Sequence, residues 1–256
     1  MSKIISIHQP CYLPWLGFFH KILMSDEFVI LDHVQFEKNS FINRNRILQP
    51  DGRPMWLTIP MLTKGKAKQS ILDVEVNPDT NWVKKHKRAI ELCYSKTPYF
   101  NSKFLELFDA FDSGEGYLYE VLSFSLGWLC SAVADDGGLF ILRNTHFSST
   151  FRPPLKETKS DLVLEICKRL DADVYLSGAF GQDYLDLNKF KEEGIKVVFQ
   201  NYLHPIYPQY QRKDEGTNVF VPNMSVLDLL FNCGPKTNEI IMRNNETRED
   251  LLRDPS

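Results

Sequence analysis

The run Ile4-Ile5-Ser6-Ile7-His8-Gln9-Pro10-Cys11-Tyr12-Leu13-Pro14-Trp15 decides how this chain folds. Its first four residues form a short β-branched run. Pro10 removes a backbone donor and disfavours helix at Gln9, so a strand ends at His8. Pro14 suits the first turn of a helix beginning near Trp15, after which Leu16, Phe19, His20, Leu23 and Met24 recur at helical spacing. A second strand, Phe28 to Leu31, closes on Asp32. Strand, polar turn, helix and strand make a parallel pair with a crossover the economical topology. Ligands of such sheets bind beyond the carboxyl ends of the strands, where both His8 and Asp32 fall.

Outward from this unit, the 256 residues suffice for a sizeable core, and a composition of 43% hydrophobic and 25% charged residues is ordinary for a globular chain. A net charge of -3 gives no global attraction for nucleic acid. The two basic runs, Lys64 to Lys68 and Lys84 to Arg88, read as a solvated loop and a solvated helix face. Five scattered cysteines, Cys11, Cys93, Cys130, Cys167 and Cys233, show no Cys-x-x-Cys spacing, so neither a disulfide framework nor a metal site is expected. No apolar run is long enough to span a bilayer and no secretory pattern opens the chain, which makes a cytoplasmic protein without a membrane span the expectation.

Pro50-Asp51-Gly52 predicts the turn of a hairpin from Arg46 to Ile59, and Ser70 to Val76 reads as a further strand ended by Asn77-Pro78. Asn81 to Tyr94 has helical spacing. Residues 98–133 form a helical lobe rich in Phe and Leu, a pattern of core. Leu139 to Leu142 then begins a strand, and alternation resumes: helix over Asp161 to Leu170, strand Val174 to Ser177, helix from Asp186 to Glu193, strand Ile195 to Asn201. Asn223 to Gly234 is an amphipathic helix that covers the sheet. Residues 244–256 carry few apolar anchors and are expected to fray or to pack on another subunit of a homo-oligomer. The whole reads as a single α/β domain over residues 1–256, with a mainly parallel Rossmann-like sheet flanked by helices and the lobe at its side.

Polar groups crowd three strand ends. After Asp32, the stretch to Arg46 interleaves Lys, Arg and Asn with aromatics, and Arg44 and Arg46, two apart, share a face if the chain is extended. With Lys38 they could hold a phosphate or carboxylate. Gly178-x-x-Gly181, between a strand and a helix, would admit a ligand to backbone N–H groups, although a tight turn asks for the same glycines. The loop from Asn201 to Tyr210 is the third such place.

Taken together, several motifs resemble the WbqC-like protein family over nearly the whole chain: His8-Gln9-Pro10, Tyr12-Leu13-Pro14-Trp15, Gly17-Phe18-Phe19 with Lys21, Asp32, Phe41, Asn43-Arg44-Asn45-Arg46, Tyr175-Leu176-Ser177-Gly178, Asp183-Tyr184 and the loop from Asn201-Tyr202 to Pro208. The resemblance implies a bacterial enzyme of O-antigen, lipopolysaccharide or other surface-polysaccharide biosynthesis. Its substrate would be a nucleotide-linked amino sugar, and its reaction N-acyl or aminoacyl transfer to the sugar amine. The donor would be a coenzyme A or acyl carrier protein thioester, with no tightly bound cofactor. In that scheme His8 is the general base, with His204 second, and Asp32 orients His8. Gln9 or a turn N–H stabilises the oxyanion, and Lys38, Arg44 and Arg46 hold the diphosphate. Tyr12, Trp15, Lys21, Asn45, Ser177, Gly178, Asp183, Tyr184, Asn201 and Tyr207 complete the substrate-binding set.

The opening unit is also similar to that of HUP-type nucleotidylyltransferases, whose His-x-Gly-His motif stabilises phosphate. Here the second His of that motif is absent, and Gly17 and His20 stand at another spacing. In this alternative, His8, Lys21 and Arg44 stabilise phosphoryl charge and a magnesium ion is required. A non-catalytic binding or scaffold protein of the same pathway is the remaining alternative.

Overall fold

The computed structural model describes residues 2–66, 68–111, 116–134, 141, 143–211 and 219–253. β1 (Ile4–His8) pairs in parallel with β2 (Glu27–Ile30) on one side and with β6 (Val174–Ser177) on the other. Outside them lie β5 (Thr145–Phe147) and β7 (Lys196–Phe199), so the parallel sheet runs β5-β2-β1-β6-β7. β3 (Arg44–Leu48) and β4 (Pro54–Thr58) form the expected antiparallel hairpin. The described helices include α1 (Leu16–Leu23), α2 (Trp82–Tyr94), α3 (Lys103–Glu106), α4 (Leu118–Val133), α5 (Lys159–Arg169), α6 (Leu187–Glu192), α7 (Val226–Cys233), α8 (Thr237–Met242) and α9 (Arg248–Leu252). This is an α/β, Rossmann-like fold.

A central parallel strand is buried on both faces and so reads as a nearly continuous apolar run. Alternate side chains then go to opposite layers. Ile5, Ile7, Val29 and Tyr175 pack against Leu162, Val163 and Ile166 of α5 and Phe190 of α6. On the other face, Phe28 and Ile30 meet Leu16, Phe18, Phe19 and Ile22 of α1. Ser6, the polar residue within β1, is fully buried and donates from its Oγ to Leu176 O at 3.1 Å. Phe104, Phe108, Leu122 and Leu126 from the stretch read as a helical lobe join the same apolar cluster as α1 and the hairpin.

Ser70 to Val76 is not the expected strand. Ile71–Asp73 instead form a 3-10 turn, because Ser70 Oγ accepts from Leu72 N at 3.3 Å and folds the chain locally, leaving single bridges at Ser70, Glu75 and Val76. The strand expected over residues 139–142 lies outside the described residues apart from Ile141, which is buried and helical. The edge strand beside β2 is β5, too short and polar for its alternation to stand out. The chain after residue 244 carries α9, capped by Thr247, whose Arg248 Nη2 donates to Asp26 Oδ2 at 2.6 Å. Leu251, 3% exposed, packs on Ile4, Val174 and Leu176.

Burial of that leucine implies a measurable anchor. Leu251→Ala should lower unfolding free energy by about 2–4 kcal/mol in urea titration. The exposed Leu187→Ala should stay within about 0.5 kcal/mol of wild type. An unchanged midpoint for Leu251→Ala would show that α9 contributes nothing to the fold.

Candidate functional site

The chain runs outward from β1 to β2 and β5, then returns to the other side of β1 with β6 and β7. The order therefore reverses between β1 and β6, and crevices at such switch points are where open α/β sheets bind ligands. A cleft of about 580 Å³ opens there. Six expected residues line it: His8 and Gln9 beyond β1, Lys21 from α1, and Ser177, Gly178 and Tyr184 around the end of β6. Gly181 is required by packing, since a Cβ there would meet Ser177 Oγ at 2.0 Å.

The His8 ring is fixed by its neighbours. Nδ1 lies 2.7 Å from Gln9 O, so the hydrogen sits on Nδ1 and donates to that carbonyl, which leaves Nε2 an acceptor. Trp15 and Phe18 meet the ring edgewise at 5.7 and 5.1 Å. Burial, and then the charge of Lys21, push His8 down to about 3, so the imidazole is neutral. Lys21 Nζ donates to Ile7 O at 2.8 Å, and burial pushes the amine down to about 7. Cys11 Sγ lies 3.6 Å from Gln9 O, and burial raises its thiol to about 12. It stays protonated and is a poor nucleophile.

Other expected site residues are engaged elsewhere. Asp32 does not orient His8: Oδ1 accepts from Ser148 Oγ and Ser149 N, both at 2.8 Å, and Oδ2 accepts from Ser149 Oγ at 2.5 Å. That carboxylate ties β2 to the turn after β5. His204 uses both ring nitrogens, Nδ1 donating to Pro205 O at 3.0 Å and Nε2 accepting from Asn223 N at 3.2 Å, and so has no lone pair to spare as a base. Tyr12 is a core residue with its hydroxyl 2.9 Å from His86 Nδ1, and Tyr207 donates to the buried Asp228 Oδ2 at 2.8 Å. Asn45 donates from Nδ2 to Leu13 O at 2.7 Å, clamping a turn in which Leu13 has the left-handed φ of 44°. Asp183 closes a 3-10 turn (Ala179–Asp183) beside the cleft without lining it, and Asn201 and Lys38 are exposed away from its wall.

Arg44 and Arg46 share a face of β3, but they stack on Trp56 of β4, their guanidinium carbons 4.4 and 5.5 Å from the ring centroid. Both Nε atoms are buried without a hydrogen-bond partner. A run of aromatic contacts connects this pair to the cleft: His8 with Trp15, Trp15 with Phe41 at 5.4 Å, and Phe41 with Trp56 at 5.9 Å. A wider groove of about 1230 Å³ lies between the hairpin turn and α2. No strand of the parallel sheet reaches it. Its cations are partly matched, Lys87 by Asp109 and Arg88 by Glu91, as befits a solvated helix face.

Sequence reasoning missed Tyr175, Glu37, Lys159 and Phe180 as cleft residues. Phe180 is 84% exposed at the rim, and an aromatic inside Gly178-x-x-Gly181 was the available signal. Among the described residues, no group of three or more His, Cys, Asp or Glu converges to hold a metal ion. No helix of the described residues is long and apolar enough to cross a membrane.

Fold and cleft thus define a Rossmann-like α/β protein with a histidine and a buried lysine at the switch point of its sheet. The family model described as the WbqC-like protein family matches residues 9–240, and the chain belongs to that family. It is 33% identical over 235 residues, 91% of this chain and 94% of the other, to a protein of Mycobacterium tuberculosis (strain ATCC 25618 / H37Rv) that carries the name Uncharacterized protein Rv1507c. No solved structure matches the chain.

A neutral buried histidine makes stability depend on pH with a definite sign. His8 takes up a proton on unfolding between its ordinary value near 6.5 and about 3, so the folded state loses stability as pH falls through that window. His86, pushed down to about 4 by burial, acts with the same sign. Between about pH 7 and 4.5, His8→Gln should remove on the order of 2 kcal/mol of the acid-induced loss seen in wild type by urea titration. Parallel curves for the two proteins would show that His8 is not held neutral.

Proposed function

We propose that this chain transfers an acyl or aminoacyl group from a thioester to the amine of a nucleotide-linked sugar, in bacterial surface-polysaccharide biosynthesis. The observation that carries the reading is the fixed His8 tautomer. Gln9 O holds the Nδ1 hydrogen at 2.7 Å, and Nε2 makes no hydrogen bond with another described residue. The sugar amine attacks the thioester carbonyl, a C–N bond forms, and the C–S bond breaks. The proton leaving the amine passes to His8 Nε2 and then to the departing thiolate. Among its protein neighbours His8 is a weak base because of burial and of the Lys21 charge. An anionic substrate beside Lys21 offsets that charge and raises the proton affinity of His8 as the cleft fills.

Arg44 and Arg46 support the nucleotide half of the substrate in this reading. Their charges face an indole rather than a carboxylate, and the aromatic run from Trp56 to Trp15 leads to His8. The same cations favour a second reading, nucleotidyl transfer with magnesium. Release of pyrophosphate from a nucleoside triphosphate, without amide formation, is the outcome that selects it.

Two measurements test the proposal. His8→Gln should fold, bind nucleotide sugar and lose on the order of 10²–10⁴-fold in acyl-transfer turnover; full turnover in the folded variant would rule out His8 as the base. Arg44→Ala should weaken nucleotide-sugar binding by about 1.5–3 kcal/mol in calorimetry, with a thermal midpoint near that of wild type. Unchanged affinity would take the hairpin out of the binding site.

A further inference from the structure

Lys21 leaves α1 at the floor of the cleft with only 2% of its surface exposed. Its ammonium has three N–H donors, and among the described residues the one hydrogen bond it makes is to Ile7 O at 2.8 Å. The groups facing it from β1 and the following turn are His8 and Cys11, both uncharged near neutral pH. Across the cleft stand the protonated phenol of Tyr184 and, at the exposed rim, Glu37 and Lys159. Among the described residues no carboxylate pairs with Lys21, whose charge is opposed chiefly by burial.

We infer that Lys21 Nζ is an oxyanion subsite that binds a phosphoryl group of the substrate at the floor of this cleft. The inference rests on reading the cleft as the place where substrate binds, and not on the reaction carried out there. A buried cation without a counter-charge is costly, and removing the cost by neutralising the amine or by pairing it are the two options open to the protein. An entering phosphoryl oxygen supplies the missing charge and accepts the N–H bonds that Ile7 O leaves free. Binding then favours the ammonium. Above about pH 7 the free amine is largely neutral, so binding takes up a proton and weakens as pH rises. Pairing Lys21 also relieves the charge that disfavours protonation of His8.

The test uses the full chain labelled with 15N-lysine and inorganic sulfate, an anion without a titrating proton in this range. The Nζ resonance of Lys21, assigned in the wild-type protein by through-bond correlation along the side chain of a sample labelled with 13C as well, should titrate near 7 in the free protein. At saturating sulfate its midpoint should rise by at least about one pH unit, and sulfate affinity should fall up to about tenfold per pH unit above 7. Lys21→Met should bind at least about tenfold more weakly, while Lys21→Arg should keep binding and lose the pH dependence. Sulfate that leaves the wild-type Lys21 midpoint in place overturns the inference, and this arm stands even if Lys21→Met does not fold. So does a folded Lys21→Met that binds with wild-type affinity and pH dependence. Displacement of sulfate by nucleoside diphosphates assigns the subsite to the sugar nucleotide, and displacement by coenzyme A alone assigns it to the thioester donor; displacement by neither overturns it. None of these readouts involves acyl transfer, so an occupied subsite in a protein without transfer would defeat the reaction proposed above and leave this subsite standing.

Discussion

The carbonyl of Ile7 is the point on which the site depends. Successive carbonyls of a strand point to opposite sides, and His8 O is taken by Leu31 N beyond β2 at 2.8 Å, so Ile7 O faces β6. Pairing between β1 and β6 ends at Ser6 with Leu176, one residue earlier. A switch point thus leaves a buried acceptor that the sheet cannot satisfy, and such a group must find a donor. Lys21 Nζ provides it. The same parting of strands that opens the cleft thereby draws a lysine into its floor.

That requirement explains why part of the site was legible in the sequence. Of the four legible sheet strands, β1, β2 and β6 lie inside the sheet, where burial on two faces leaves apolar runs, as in Ile4 to Ile7 and Val174 to Leu176, while half-buried β7 shows through Val197-Val198-Phe199. Their carboxyl ends bring His8, Gln9, Ser177 and Gly178 together, as the parallel topology demands. Edge elements were harder. Thr145–Phe147 needs only one partner strand and shows no apolar alternation, while Ser70 turns a β-like run into a 3-10 turn with one side-chain bond.

Polar residues at strand ends were the less legible part, because residue type does not reveal a partner. Asp32 follows a strand just as His8 does, yet two serines from the turn after β5 consume its oxygens. His204 and Tyr207 lie in a loop crowded with functional groups and spend them on holding that loop to Asn223 and Asp228. Asn45 sits between two arginines in sequence but points to the other side of its strand, where it holds the Leu13 turn. In each case a contact more than ten residues away decides the role, and no local pattern encodes it.

Charge completes the distinction between the two kinds of polar group. The chain as a whole carries a net charge of -3, so nothing in its overall balance attracts an anion. Locally the sign reverses: Asp32 is enclosed by donors, and Lys21, Arg44 and Arg46 make no ion pair with a carboxylate among the described residues. Screening limits the reach of exposed charges to about 8–10 Å in physiological salt, so Lys21 acts within the cleft it lines, whereas Arg44 and Arg46, which do not line it, act beside the face of Trp56. Aromatic rings rather than solvated side chains fill the space between them, from Trp15 through Phe41 to Trp56. Rings of this kind offer flat apolar faces and the guanidinium groups beside Trp56 offer charge, so packing and electrostatics meet on one side of the hairpin while the buried Lys21 stands apart at the switch point.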